Sequence, residues 1–164
     1  MNFSLDIWLI LWYYINMKLE EIYEMWEQDA KYDDLSLDKE SLNISSLHAK
    51  YNRLLSETRS QLRSAVIKKK SHYSTLRDYY LCNLNNPEDL ERIGRAPFLQ
   101  KVLKNEVQGY IDSDGELVKI DERIALLEEK VEVIVEIMKC IHKRGYDIKS
   151  AIEWRKFTNG FWSN

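Results

Sequence analysis

Two prolines and five glycines are all that punctuate 164 residues. Turn-rich all-β folds need such residues at closely spaced reversals, so their scarcity argues against those folds and for long helices with few connections. Cysteine is as sparse. Cys82 and Cys140 stand far apart with no metal-ligand spacing around them, and they read as reduced thiols. No apolar run approaches the roughly 20 residues that a membrane span needs. Residues 7–15 (IWLILWYYI) come nearest, and they lack the basic flank and small-residue cleavage site of a secretory signal.

Catalytic constellations are missing as well. The three histidines, His48, His72 and His142, have no cysteine or carboxylate at metal-binding spacing, and no glycine-rich phosphate loop or G-x-S-x-G elbow occurs. The adjacent acids Glu20 and Glu21, Asp33 and Asp34, and Glu128 and Glu129 fall on polar faces and read as solvated side chains. The expectation is therefore no enzyme, no cofactor and no metal.

What is present is helical pattern. Apolar residues make up 45% and charged residues 31% of the chain, a balance suited to a single soluble helical domain. A second Met, Met17, opens an amphipathic acidic segment, and residues 1–16 read as an apolar extension preceding the native start. The rival reading makes those sixteen residues an amphipathic membrane anchor. From residue 17 to about 31, Leu19, Ile22, Tyr23 and Trp26 recur at spacings of three and four and share one helix face. The Asp- and Ser-rich stretch that follows reads as a linker, closing an acidic segment over residues 17–45.

The longest pattern covers residues 46–82. Leu47, Tyr51, Leu54, Leu55, Thr58, Leu62, Ala65, Val66, Tyr73, Leu76 and Tyr80 fall within one ~100° stripe. Such a helix is on the order of 50 Å long at ~1.5 Å per residue, longer than a small domain, which predicts packing against neighbouring chains. Next comes a short capped helix, with Asn86 as N-cap, Pro87 at the first position and Gly94 beyond its end. Pro97 opens a further segment. Residues 108–119 hold a Ser-Asp-Gly turn between β-compatible runs and predict one small hairpin. A second long helix is expected from Asp121, with Ile124, Leu127, Val131, Ile134, Met138 and Ile141 in register. Lys143, Arg144 and Gly145 suit its end, and a final helix is expected over residues 148–157.

Charge is unevenly spread. Residues 18–40 carry nine acidic side chains against three basic, whereas residues 48–77 carry eight basic against one acidic, within a chain of net charge −3. A basic window inside an acidic protein is either a solvated helix face or a footprint for a polyanion. On a helical wheel Arg59, Arg63, Lys70 and Arg77 form one strip, while Lys50, Arg53 and Lys68 lie on the opposite flank. Lys69 falls on the apolar stripe itself, which is costly unless that part of the face is wet or meets phosphate. Tyr73 and Tyr80 sit within the stripe and read as core. Tyr79, off its centre, is the better candidate for stacking on a base. Cations tracking a backbone beside rings that stack are the ingredients of sequence-independent single-strand binding.

Several short motifs occur in a telling order. MKLEEIYE opens at Met17, Lys69-Lys70 stands ahead of Asp78-Tyr79-Tyr80, and Val118 to Asp121 (VKID) precedes the second long helix. The segment from Ile141 to Gly160 (IHKRGYDIKSAIEWRKFTNG) then presents Arg144, Gly145, Tyr146, Ile148, Lys149, Ile152, Arg155 and Phe157 in fixed spacing. On these residues the chain resembles the UvsY family of recombination mediators from T-even-type phages, over about residues 17–160 with gaps in the middle. Where the family has a Lys-Ala-Arg-Leu stretch implicated in DNA binding, this sequence has Ser74, Thr75, Leu76 and Arg77.

The resemblance implies a mainly α fold assembled into a ring-like homo-oligomer in the cytoplasm of the infected host cell. It implies single-stranded DNA, a UvsX-type recombinase and a phage single-strand-binding protein as partners, with no membrane. DNA contact is expected at Lys68, Lys69, Lys70, Arg77, Arg63, Arg59 and Tyr79. Oligomerisation is expected through C-terminal helices over residues 121–157, at Ile134, Met138, Ile141, Tyr146, Ile148, Ile152 and Phe157. The competing expectation is a helical scaffold whose basic helix binds an acidic partner, or the chain's own residues 18–40, and never touches DNA.

Overall fold

The computed structural model describes residues 17–31, 33, 35–84 and 86–160. Residues 1–16, on which the expectation about the native start falls, lie outside them. The elements are α1 (Leu19–Asp29), α2 (Leu37–Tyr80), α3 (Pro87–Ile93), α4 (Val107–Asp112) and α5 (Gly115–Thr158), and there is no strand among the described residues. They divide into two compact units. The first draws on residues up to 60 and from 129 onward, and the second is residues 61–128.

In the first unit, Ile22 of α1, Leu47, Tyr51, Leu54 and Leu55 of α2, and Ile134, Ile137 and Ile141 of α5 form the core, together with Met17. Trp26 packs edge-on against the Tyr51 ring at 5.7 Å between centroids. Polar side chains tie down the end of α1. The buried guanidinium of Arg144 donates to the carbonyls of Asp29 (2.8 Å) and Lys31 (3.1 Å) and to Glu40 Oε2 (2.9 Å). The last carbonyls of a helix have no partner within it, and a cation placed there also meets the negative end of the dipole.

The second unit has a smaller core of Leu76, Val107, Ile111 and Leu117, backed by Tyr73, Tyr80, Leu81 and Val102. Cys82 ends α2 in the left-handed region at φ 58°, and the Asn83 amide closes the turn onto the Asp78 carbonyl at 2.9 Å. The α3 caps fall where the sequence places them: Asn86 accepts from the Asp89 amide, and Gly94 is left-handed at φ 67°.

Three sequence expectations are corrected. The Asp/Ser-rich stretch is not a linker up to residue 45, since α2 begins at Leu37, which is buried, and places Asp38 and Glu40 in its first turn. Acidic side chains are favoured in a helix's first turn, where they meet the positive end of its dipole. The expected hairpin over residues 108–119 is helical on both sides of a turn. There Asp114 accepts from the amides of Glu116 (3.1 Å) and Leu117 (3.4 Å), so the Ser-Asp-Gly signal caps α5 instead of reversing a strand. Finally, α5 starts at Gly115 and runs through Gly145 to Thr158 without a break. The stop signal at Gly145 is not used, and the glycine sits within the helix without a positive φ.

Candidate nucleic-acid interface

The stretch of α2 in the second unit carries the cations of interest. Arg63, Lys70 and Arg77 are exposed and spaced by seven residues, which brings them back to nearly the same angle on the helix. None of the three forms an ion pair among the described residues, and neither does exposed Lys68. Arg59, in the first unit, is likewise exposed and carries no ion pair among the described residues. Other members of the basic window are spent internally. Lys50 Nζ lies 2.6 Å from the Asp29 carboxylate, and Arg53 pairs with Glu57 at 3.7 Å.

Lys69 has a partner that the sequence did not reveal. Its Nζ sits 2.7 Å from Asp121 Oδ1, with both side chains partly solvated. Its place on the apolar stripe is thus accounted for without phosphate. Tyr79 is a correction: only 9% exposed, it donates to the Ala96 carbonyl at 2.8 Å and packs on Tyr80 and Phe98. A ring held on those sides offers no face to a base, so Tyr79 leaves the candidate set. Tyr73 and Tyr80 are half-buried, Tyr73 donating to Gln108 and Tyr80 to Asp114. Tyr110, 38% exposed at the margin of the Tyr80–Phe98 cluster, is the ring most open to solvent there.

Two grooves flank this stretch. One, of about 350 Å³, is lined by Arg77 and Lys104 over a floor of Leu81, Val107 and Ile111. The other, of about 640 Å³, lies between α2 and α5 and is lined by Lys68, Lys119 and Arg123 over Ala65 and Ile120. Lys104, Lys119 and Arg123 were missed in the sequence because they lie outside the basic window, on separate elements. No local signal pairs them with Arg77 or Lys68.

Asp114 anchors the unit electrostatically. Arg95 lies 2.7 Å from one of its oxygens, and Tyr80 donates to it at 3.1 Å. Burial pushes the carboxyl up, but Arg95, the Glu116 amide and Tyr80 outweigh that and hold it down to about 2. Burial, reinforced by Asp114, raises the Tyr80 hydroxyl above its ordinary value. His72 approaches the same carboxylate at 3.8 Å and Glu116 at 3.3 Å, a grouping that linear spacing concealed. Arg95 also reaches Glu116 at 3.7 Å, so the positive charge these acids call for is already supplied by the chain.

The residues expected to join subunits are divided. Ile134 and Ile141 are fully buried in the first unit's core and Ile148 is buried as well, while Met138 packs against that core. As inward-facing groups of one chain, Ile134, Ile141 and Ile148 are corrected from interface to protomer core. Ile152 is half-buried. Tyr146 (74% exposed) and Phe157 (66%) do face solvent. Trp154, which the sequence reading passed over, is equally exposed and lies 5.9 Å from Phe157 between ring centroids.

A family model described as "Recombination, repair and ssDNA binding protein UvsY" matches residues 25–161. No curated protein sequence matches the chain. Crystal structures of the bacteriophage T4 recombination mediator protein UvsY share its fold. The type II lattice form aligns at TM-score 0.72 and 21% identity over 88% of this chain and 99% of that one. The type I form gives 0.73 at 19% identity over 84% and 98%.

Proposed function

The chain belongs to the UvsY family, and from that premise we propose that it is a recombination mediator that binds single-stranded DNA through the unpaired cations of its second unit. Arg63, Lys70 and Arg77 make the primary phosphate contacts. In this reading the protein loads a UvsX-type recombinase onto DNA covered by single-strand-binding protein, in the cytoplasm of the infected host. It acts as a homo-oligomeric ring, which brings several such strips onto one strand and strengthens contacts that are individually weak. Tyr146, Trp154 and Phe157 are the most exposed large apolar groups of α5 among the described residues and are available to a neighbouring copy.

The observation that carries the proposal is selective neutralisation. The fold pairs Lys50 and Lys69 with acids, yet leaves Arg63, Lys70 and Arg77 exposed on one strip. Among the described residues no helix is long and apolar enough to cross a membrane. The scaffold reading draws support from the Lys50–Asp29 pair, in which the basic helix does meet the acidic N-terminal segment. Fluorescence titration with poly-dT at several salt concentrations, alongside sedimentation, separates the two. Mediator function predicts an oligomer whose affinity falls steeply with salt. An oligomer that ignores poly-dT at low salt would leave the scaffold reading standing.

A further inference from the structure

The groove between α2 and α5 in the second unit puts cations from two helices opposite one another. Lys68 stands on the α2 side, and Lys119 and Arg123 on the α5 side, around a volume of about 640 Å³. All three are exposed, and none is ion-paired among the described residues. Among the described residues lining the groove Glu116 is the one acid, and Arg95 reaches it at 3.7 Å while His72 Nε2 lies 3.3 Å away. Ala65 and Ile120 provide an apolar floor between the charges.

This groove is separate from the strip of Arg63, Lys70 and Arg77. Residues two apart on an α-helix point roughly 160° from each other, so Lys68 and Lys70 occupy opposite sides of α2. We propose that the groove is a second phosphate-binding site for the single strand, in which Lys68, Lys119 and Arg123 hold a stretch of sugar-phosphate backbone. Each subunit then grips DNA on two faces of one helix, which fits wrapping or handing over a strand better than a single linear track. The inference rests on the single-strand reading above. It adds a site on α5, a helix whose cations that reading does not use.

The test compares four proteins in poly-dT titrations across salt: the unaltered chain, Lys119→Ala with Arg123→Ala, the triple Ala variant at Arg63, Lys70 and Arg77, and all five substitutions together. Circular dichroism and sedimentation establish that each is folded and assembled. A lost phosphate contact flattens the plot of log affinity against log salt by ~0.7 for single strands, so the α5 double variant should lose roughly 1.4 per subunit engaged. The effect should be equal on poly-dT and on mixed sequence, and Lys119→Arg should retain the slope. If the double variant keeps affinity and slope while the strip variant loses them, the groove is not a DNA site and the primary reading survives. If even the five-fold variant binds as the unaltered chain does, the primary reading falls too. If the double variant instead loses binding only to a poly-glutamate peptide, the groove belongs to an acidic protein segment.

A second measurement needs no variant. In the unaltered protein, acetylation of Lys68 and Lys119 by an amine-reactive ester should drop several-fold when poly-dT is bound, with exposed Lys39 of the first unit as reference. Unchanged labelling of both lysines would overturn the proposal.

Discussion

The two units differ in where their best-held and their most exposed cations lie. In the first, cations are absorbed into structure: Arg144 closes the end of α1 and reaches Glu40, while Lys50 binds Asp29 beside the Tyr51 hydroxyl. Its core is the larger one, built from aliphatic groups on three helices around Tyr51. The second unit has a modest core and holds its long non-helical stretch by polar means, through Arg95, Asp114 and the Tyr79–Ala96 bond. Yet the same unit leaves Arg63, Lys68, Lys70 and Arg77 of α2, and Lys119 and Arg123 of α5, in solvent. Arg144 and Lys50 help hold the first unit's fold, as Arg95 does in the second, but in the second six cations of α2 and α5 stand exposed with no ion pair among the described residues. Net charge over the whole chain, only −3, conceals this division.

The comparison breaks most severely in the first core. Ile134 is 0% exposed, and cutting it to Ala removes a buried aliphatic group and leaves a cavity, at a cost of about 4 kcal/mol. Thermal unfolding should show a midpoint lower by on the order of 10 °C, while Phe157→Ala should leave that midpoint unchanged and weaken only self-association. Were Ile134→Ala to dissociate the assembly with no loss of protomer stability, the assignment of Ile134 to the chain's own core would be wrong.

Next in size is Asp114. Replacing it by Ala leaves the half-buried Arg95 only its longer contact with Glu116 and removes the cap of α5, at about 3 kcal/mol. The loss should register as faster amide exchange in residues 61–128. The pH dependence has a definite sign. A carboxyl held at about 2, below its unfolded value of about 3.9, stabilises the fold at pH values above the latter. That contribution is lost as pH falls from about 4 towards about 2, and Asp114→Asn should abolish this part of the acid sensitivity. An unchanged acid transition in the Asn variant would remove Asp114 from the account.

The sequence made the helices legible because their signals are local. The Asn86 cap, Pro87 and Gly94 need only their neighbours, and the stripe from Leu47 to Tyr80 repeats every turn. The failures came where a local signal has two structural meanings. Ser-Asp-Gly before residue 116 serves a hairpin or a helix start equally well, and only the Arg95 and Tyr80 contacts to Asp114 favour the second. Gly145 reads as a stop, yet glycine is also tolerated inside a helix, and α5 runs through it. The basic window was visible, but which of its members remain free was not. Asp29 is far in sequence from Lys50, and Asp121 from Lys69. Apolar stripes suffer the same ambiguity, since Ile134 and Ile141 look identical whether they meet their own chain or another.

Smaller than the stability effects is the electrostatic one on the exposed strip. Replacing Arg63, Lys70 and Arg77 together by Ala should leave the thermal midpoint nearly unchanged, because exposed and unpaired side chains contribute little to folding. It should lower the slope of log affinity against log salt by roughly 2 per subunit engaged, at ~0.7 for each of three contacts. A fall in stability without a change in slope would mean that these side chains serve the fold and not DNA.

The smallest effect is also the sharpest test of the division between spent and free cations, because it contrasts two adjacent lysines. Lys69 is held by Asp121 at 2.7 Å, and Lys70 is exposed with no ion pair among the described residues. A half-solvated pair of this kind is worth only about 0–1 kcal/mol, so neither Lys69→Ala nor Lys70→Ala should move the thermal midpoint much. Their DNA phenotypes should differ. Lys70→Ala removes a phosphate contact and flattens the salt plot by ~0.7 per subunit engaged. Lys69→Ala removes a cation that Asp121 already neutralises, so its slope should stay close to that of the unaltered protein. Its affinity should fall slightly, because Asp121 is left with an uncompensated negative charge near the bound strand. Lys69→Ala combined with Asp121→Ala should then restore affinity to that of the unaltered protein. If Lys69→Ala flattens the plot as much as Lys70→Ala does, the Asp121 pair opens when DNA arrives. Exposure and pairing in the free protein would then no longer suffice to pick out its DNA contacts.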